Sequence, residues 1–482
     1  MTTRLTDRDI DEIARRIAAD ISRGTVTLPQ FVPSGASPVQ SGLGVFPTVD
    51  EAVAAARAAQ PQFAALKLEH RARIIAAIRK TMLENAELLA KTAHDETGYG
   101  RYEDKVVKNR LVTEKTPGIE ELYPGVVTGD HGLTLTEPAP FGTIAAITPT
   151  TNPTSTVICN TIGMIAAGNT VVYNVHPYST NCCMQTIALI NKTIVATGGP
   201  ANVITGISKP TIESANELMR HPGIRLVVVT GGPDVVKAAM ASGKRAICAG
   251  PGNPPAVVDE TADIHKAAHD IVWGSSTDNN IICTDEKETI AVASITDQLI
   301  AAMGRHDAFV LPKQRLPELE KVIFTTLGGP RQKSKLNKDV IGKNAGVILS
   351  KIGISVPDSI RSVVVEVDEN HTLLWTEQMM PVMPVCRVPN AGRAIDLAVE
   401  IEGGNRHTAV MHSKNLDNLS RMAKACDCSI FVKNGRSQAG LGLEGEGYCS
   451  FTIASPTGEG MTGPRSFSRY RRCTLVDHFR IT

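Results

Sequence analysis

Short apolar runs rich in Val and Ile alternate with helix-patterned stretches along most of this chain, and that alternation leaves few folds open. The first series comprises Ile144–Ile147, Thr170–Tyr173, Ala201–Ile204 and Leu226–Val229. A second follows Cys248, with Ala256–Asp259, Ala308–Leu311, Gly346–Leu349, Ser362–Val367 and Ser429–Val432. Strands buried on both faces read as unbroken hydrophobic runs, whereas strands with one wet face alternate polar and apolar residues. The expected fold class is therefore α/β, with two Rossmann-like units, each a parallel sheet covered by helices on both sides. At 482 residues the chain has room for two such units around a large core. Between Thr48 and Gly98, Val53, Ala56, Phe63, Ile74, Ile75, Ile78, Met82, Leu88 and Leu89 fall at helical spacing, so long helices precede the first sheet.

The start of the chain has a different character. Ile10, Ile13, Ile17 and Ile21 form one apolar stripe with Ala14 and Ala18, opposite a charged face, which predicts an amphipathic helix within residues 1–23. Residues 24–44 are rich in Pro, Ser, Gly and Gln and lack periodicity, which is linker composition. A short helix on a leash must bury its stripe, either on its own domain or on another molecule.

Charge and cysteine usage exclude several classes. Lys and Arg total 50 against 49 acidic residues, so nothing calls for nucleic acid or an anionic lipid surface. No apolar run is long enough for a membrane span, and charges interrupt the N-terminal apolar stretches, unlike a secretory signal. Ten cysteines without paired short spacings point to free thiols in a reducing cytoplasm. Cys182-Cys183 and Cys426-Asp427-Cys428 lack a second pair at zinc-ligand distance and read as packing residues, so no metal is expected.

One thiol stands apart. Cys283 ends the amide-rich stretch Thr277-Asp278-Asn279-Asn280 after Ile281-Ile282, just before the strand-like Thr289–Ser294. Its competitors fit worse: Cys159 lies in a helical pattern, Cys248 in a Gly/Pro turn region, and Cys386 in an apolar strand. A thiolate can both add to a carbonyl and leave again, which acyl transfer through a covalent intermediate requires. A strand ending in Thr148-Pro149-Thr150-Thr151-Asn152-Pro153 precedes it, as does the strand-turn run Val227-Val228-Val229-Thr230-Gly231-Gly232. Glu377-Gln378-Met379-Met380-Pro381-Val382 follows it. The literal Gly440-Leu441-Gly442-Leu443-Glu444-Gly445 is rejected as a dinucleotide fingerprint, because it does not join a strand to a helix.

In that order and spacing, these motifs resemble the aldehyde dehydrogenase superfamily. More narrowly, they look like the coenzyme-A-acylating propionaldehyde/acetaldehyde dehydrogenases of bacterial microcompartments. The resemblance implies Cys283 as nucleophile, with its own backbone N–H and a side chain from Asn152 or Thr151 facing the oxyanion. It implies NAD contacts from Thr148, Pro149 and Thr150, from Thr230, Gly231 and Gly232 in a turn like Phe-Thr-Gly-Ser, and from Glu377 on the nicotinamide ribose. The stretch Ala167–Pro177 resembles a strand whose Lys holds adenosine ribose; Asn174 and His176 stand in that region instead. No basic residue is expected beside a 2′-phosphate, which favours NAD.

Ala249 falls where hydrolytic members carry the Glu that activates water, so coenzyme A is the implied acyl acceptor. The expected activity is NAD-dependent oxidation of a short aldehyde, propionaldehyde first and acetaldehyde second, to its acyl-CoA. A hydrolytic dehydrogenase, an amino-acid phosphate reductase and a non-catalytic packaging scaffold are the rivals. The resemblance divides the chain into a cofactor domain at 45–247, a catalytic domain at 248–440 and a return at 441–482. A small β oligomerisation arm would combine Leu133–Pro140 with Tyr448–Leu475, giving a homodimer or tetramer. It also makes the N-terminal helix an encapsulation peptide for shell or cargo proteins, inside a cytoplasmic microcompartment.

Overall fold

The first parallel sheet has six strands, in the spatial order Val45–Phe46, Ile204–Ile207, Thr170–Asn174, Thr143–Ile147, Leu226–Thr230, Arg245–Ala249. The computed structural model describes residues 43–480 of the chain; the amphipathic helix expected within 1–23 lies outside them. Every residue of Thr143–Ile147 and Leu226–Thr230 is buried, which is why those runs are uninterrupted by charge. Helices cover both faces. Val49–Ala64 begins where the Thr48 hydroxyl accepts the Glu51 N–H, and Pro153–Ala166 is buried along its whole length.

The second parallel sheet has seven strands: Ala308–Val310, Ser362–Val367, Val382–Val388, Glu288–Val292, Pro255–Val258, Thr408–His412, Ile430–Lys433. The fold is thus the mixed α/β architecture expected. No helix among the described residues is long and apolar enough to cross a membrane, and no group of three or more His, Cys, Asp or Glu there is placed to hold a metal.

Four local expectations need correction. The run Ala201–Ile204 pairs later, as Ile204–Ile207, because Asn202 adopts φ 64° and keeps the turn open up to Val203. Gly346–Leu349 belongs to the helix Ala345–Ser350, which buries Ala345, Ile348 and Leu349; a short apolar run carries too little periodicity to separate the two states. Cys248 lies not in a turn but in the edge strand Arg245–Ala249, paired with Val229, so 248–249 belong to the first sheet. The antiparallel arm comprises Gly125–Gly129, Gly132–Pro140 and Ser468–Val476. Much of 448–467 instead packs on the body, where Phe467 is buried and its carbonyl accepts the Asn169 amide.

Candidate active site

In the first sheet, Thr143–Ile147 lies between Thr170–Asn174 and Leu226–Thr230, and Ile147 pairs with both Asn174 and Val229. The chain order reverses there, and ligands of open parallel sheets bind outside the carboxyl ends of strands at such a switch point. Thr148, Asn174 and Thr230 follow or end these three strands. The Thr148 and Thr150 hydroxyls are buried without a hydrogen-bond partner among the described residues, so their bonding capacity is unspent. Gly231 spends its N–H on the Ala249 carbonyl at 3.1 Å, so it cannot also serve a phosphate. Gly232 has an ordinary φ of −69°, and a Cβ there would meet nothing within 4 Å. Its open face lies at the start of the helix Pro233–Met240, where N–H groups gather. The Thr230 hydroxyl pairs with Thr452 at 3.0 Å.

The two candidates for adenosine ribose differ. Asn174 is committed within the chain: Oδ1 accepts the Ser214 hydroxyl at 2.6 Å, and Nδ2 donates to the Thr211 carbonyl at 3.4 Å. It therefore supports the capped start of the helix Ile212–Arg220. His176 accepts the Tyr178 N–H on Nδ1 at 3.2 Å. Burial pushes its pKa down, and a neutral ring accepting on Nδ1 carries its proton on Nε2, a donor suited to a hydroxyl. Lys209 is exposed two residues before Thr211.

The cysteine loop is built on unusual backbone. Asp278, Asn279 and Asn280 take successive positive φ values of 47°, 58° and 64°. Asp and Asn tolerate this left-handed conformation better than other side chains, because their short polar groups bond locally. Each is also pinned from outside. Asn279 Nδ2 donates to the Gly342 carbonyl and Asn344 Oδ1, both at 2.8 Å. Asn280 Nδ2 donates to the Ser275 and Glu286 carbonyls at 2.6 and 2.9 Å. Asp278 accepts from Lys105 at 2.9 Å, from the Arg101 N–H at 2.7 Å, and from Lys108. Lys287 closes the loop from below, donating to the Asn280 carbonyl, Asn280 Oδ1 and the Ile282 carbonyl at 2.7, 2.8 and 3.1 Å.

This turn delivers a partly open Cys283 after the buried Ile281 and Ile282. The rival thiols Cys159, Cys248 and Cys386 are buried. Gly252 is required below it: a Cβ there would lie 2.7 Å from the Cys283 carbonyl oxygen and 3.1 Å from the His407 ring. Burial first, then the carboxyls of Glu377 and Asp285, push the Cys283 thiol up to about 12, against the pull of Lys287 and its own N–H. Glu377 thus bears on the sulfur across the loop. Burial raises its own pKa, while Lys287, Lys333 and the Gly252 N–H draw it back. Because the thiol is the resting form, alkylation of Cys283 by iodoacetamide should accelerate about tenfold per pH unit between pH 7 and 9. A rate that levels off below pH 8 would contradict this environment.

Asn152 occupies the N-cap of Pro153–Ala166, yet its side chain caps nothing, although capping is what Asn usually does there. It is turned instead into a buried polar contact. Oδ1 accepts from Lys108 at 2.7 Å, and Nδ2 donates to the Thr151 hydroxyl at 3.2 Å. Lys108 also donates to the Thr151 carbonyl at 3.3 Å. At the strand end, Ala249 presents a buried methyl and no carboxylate. The rejected glycine motif shows carbonyls: Gly442 and Gly445 accept from Lys115 at 2.5 and 3.1 Å, the wrong polarity for a phosphate.

No motif in the sequence marks Lys105, Lys108 or His407. The two lysines share the buried face of Tyr102–Lys115 with Asn109 and Val112, a helix that lacks a plain apolar stripe. Polar residues recurring at three- and four-residue spacing were the available signal. His407 is fully buried, its Nε2 lacks a partner among the described residues, and burial and Lys287 push its pKa down to about 4.

Two parallel α/β sheets, a switch-point crevice and a thiol on a constrained loop define a dinucleotide-dependent enzyme class that works through a covalent cysteine adduct. Residues 46–443 match the model of the aldehyde dehydrogenase family, and the chain belongs to that family. It is 50% identical over 440 residues to the acetylating acetaldehyde dehydrogenase EutE of Salmonella typhimurium, covering 91% of this chain and 94% of that protein. The crystal structure of Rhodopseudomonas palustris propionaldehyde dehydrogenase, with bound CoA and an acylated cysteine, superposes with a TM-score of 0.88 at 49% identity, covering 90% of this chain and 99% of that one. A propionaldehyde dehydrogenase from the Clostridium phytofermentans fucose utilisation bacterial microcompartment gives 0.88 at 45% identity, covering 92% and 100%.

Proposed function

We propose that this protein oxidises a short aldehyde to its acyl-CoA. The Cys283 thiol gives its proton to solvent, its thiolate adds to the aldehyde carbonyl, and the resulting alkoxide is held by Asn152 Nδ2 and the Cys283 N–H. Preorganised donors at a developing oxyanion are the largest single contribution in chemistry of this kind. A nicotinamide dinucleotide bound beside that carbon would supply the hydride acceptor. Thr148, Thr150, Gly232 and His176 would hold it at the switch-point crevice, with Glu377 on the nicotinamide ribose. Loss of hydride leaves a thioester on Cys283. The thiolate of coenzyme A then attacks the acyl carbon and Cys283 leaves.

The observation that carries the choice of acyl acceptor is the buried methyl of Ala249. Water is a poor nucleophile towards a thioester without a placed base, whereas a thiolate needs little help. Asp285 is unsuited to that work: it accepts from the Ile282 N–H at 3.2 Å and from Gln438 at 2.6 Å. Nucleotide reduction with propionaldehyde should therefore turn over steadily with coenzyme A and stop after about one equivalent without it. Acid formed at equal speed without coenzyme A would establish a hydrolytic enzyme. Running the assay with acetaldehyde and with NADP settles the substrate and whether Lys209 accepts a 2′-phosphate.

Packaging in a microcompartment, through residues 1–23 docking on shell or cargo proteins, is the reading we favour for the N-terminus. The likeness to a microcompartment enzyme and the apolar stripe Ile10-Ile13-Ile17-Ile21 support it. A chain lacking residues 1–23 should stay active and fail to co-purify with compartments; co-purification undiminished would remove this role. The arm exposes Val126, Val127, Leu475 and Val476, surface suited to a neighbouring copy in a dimer or tetramer.

A further inference from the structure

We infer that Lys108 is a positioning residue for the oxyanion donor: anchored on Asp278, its ammonium claims Oδ1 of Asn152 and so turns the amide N–H group towards the substrate carbonyl oxygen. The inference rests on the reading of Asn152 given above and extends it to a residue that touches neither substrate nor cofactor.

An Asn side chain has two faces of nearly equal shape, and only its partners decide which one holds the nitrogen. Thr151 cannot decide, because a hydroxyl donates as readily as it accepts. An ammonium can, since it carries donors alone. With Lys108 at 2.7 Å, Oδ1 must face it; the flipped amide would set N–H against N–H in a buried site. One Nδ2 hydrogen goes to Thr151 and the other remains for the oxyanion.

Lys108 is itself fixed. It is 4% exposed, donates to the Thr151 carbonyl, and pairs with Asp278, which is wholly buried and further held by Lys105 and the Arg101 N–H. Asp278 also begins the left-handed turn that carries Cys283. One carboxylate therefore ties the donor to the nucleophile's loop, so the two halves of the site are set by a common anchor.

The test is a double-mutant cycle of K108M and N152A, read as kcat for acyl-CoA formation and KM for nucleotide and aldehyde. Asp278 keeps Lys105 in K108M, and one of two like buried charges is removed, so the fold has no new unpaired ion. N152A should lower kcat about 100- to 1,000-fold. K108M should lower it at least about tenfold, with KM values within about twofold, and the double variant should be no slower than N152A. K108M with wild-type kcat beside a crippled N152A, or losses that multiply in the double variant, would overturn the positioning role alone. An N152A enzyme at wild-type rate would instead remove Asn152 as the donor. If K108M does not fold, K108Q, which likewise leaves Asp278 paired with Lys105, enters the same cycle under the same criteria.

Discussion

Replacing Cys283 with Ala should reduce acyl-CoA formation by about five orders of magnitude or more, the size of loss seen when a covalent nucleophile is deleted. No neighbouring thiol can stand in. Cys248 points from an edge strand of the first sheet, and burial and Glu459 push its thiol up to about 11. Cys386 belongs to the strand Val382–Val388 near the centre of the second sheet. Cys159 accepts the Phe451 N–H from inside the wholly buried helix Pro153–Ala166. Nucleotide affinity, measured by fluorescence titration, should change little, because the switch-point contacts lie on the other sheet. A C283A enzyme that still formed acyl-CoA would rule out the adduct and leave the packaging-scaffold reading to be considered.

Asp278→Ala should destabilise the protein by about 3–5 kcal/mol, the usual consequence of removing one member of a buried ion cluster. Lys105 and Lys108 are 2% and 4% exposed and would be left as like charges without a counter-ion. The Arg101 N–H would lose its acceptor as well. Burial already presses Lys108 down to about 8 despite the carboxylate, so without Asp278 it should shed its proton at neutral pH. The residual fold should then bind protons more weakly, and the midpoint of urea unfolding should fall. An unchanged midpoint would show that the cluster contributes nothing net to stability. Gly100 makes the same point by packing: its φ is 75°, and a Cβ would strike the Asp278 carboxylate directly.

The sequence by itself determined the layers. Runs such as Leu226–Val229, uncharged and rich in β-branched residues, are strands buried on both faces. It also singled out Cys283 and the Ala at 249, since identity at a motif position needs no coordinates. Where an apolar run was short, as at Gly346–Leu349, helix and strand were indistinguishable until Asn344 and the packing of Ile348 and Leu349 were seen. Tertiary structure alone decided the rest. Lys108 lies far along the chain from Asp278, and nothing local pairs them; only the docking of Tyr102–Lys115 against the cysteine loop makes an ammonium the partner of Asn152. Likewise, only the seating of the helix Ile212–Arg220 beside the strand Thr170–Asn174 gives Asn174 its partners Thr211 and Ser214. Strand identity follows from local burial pattern, whereas the polarity of a site follows from which buried donors and acceptors are forced to share one enclosed volume.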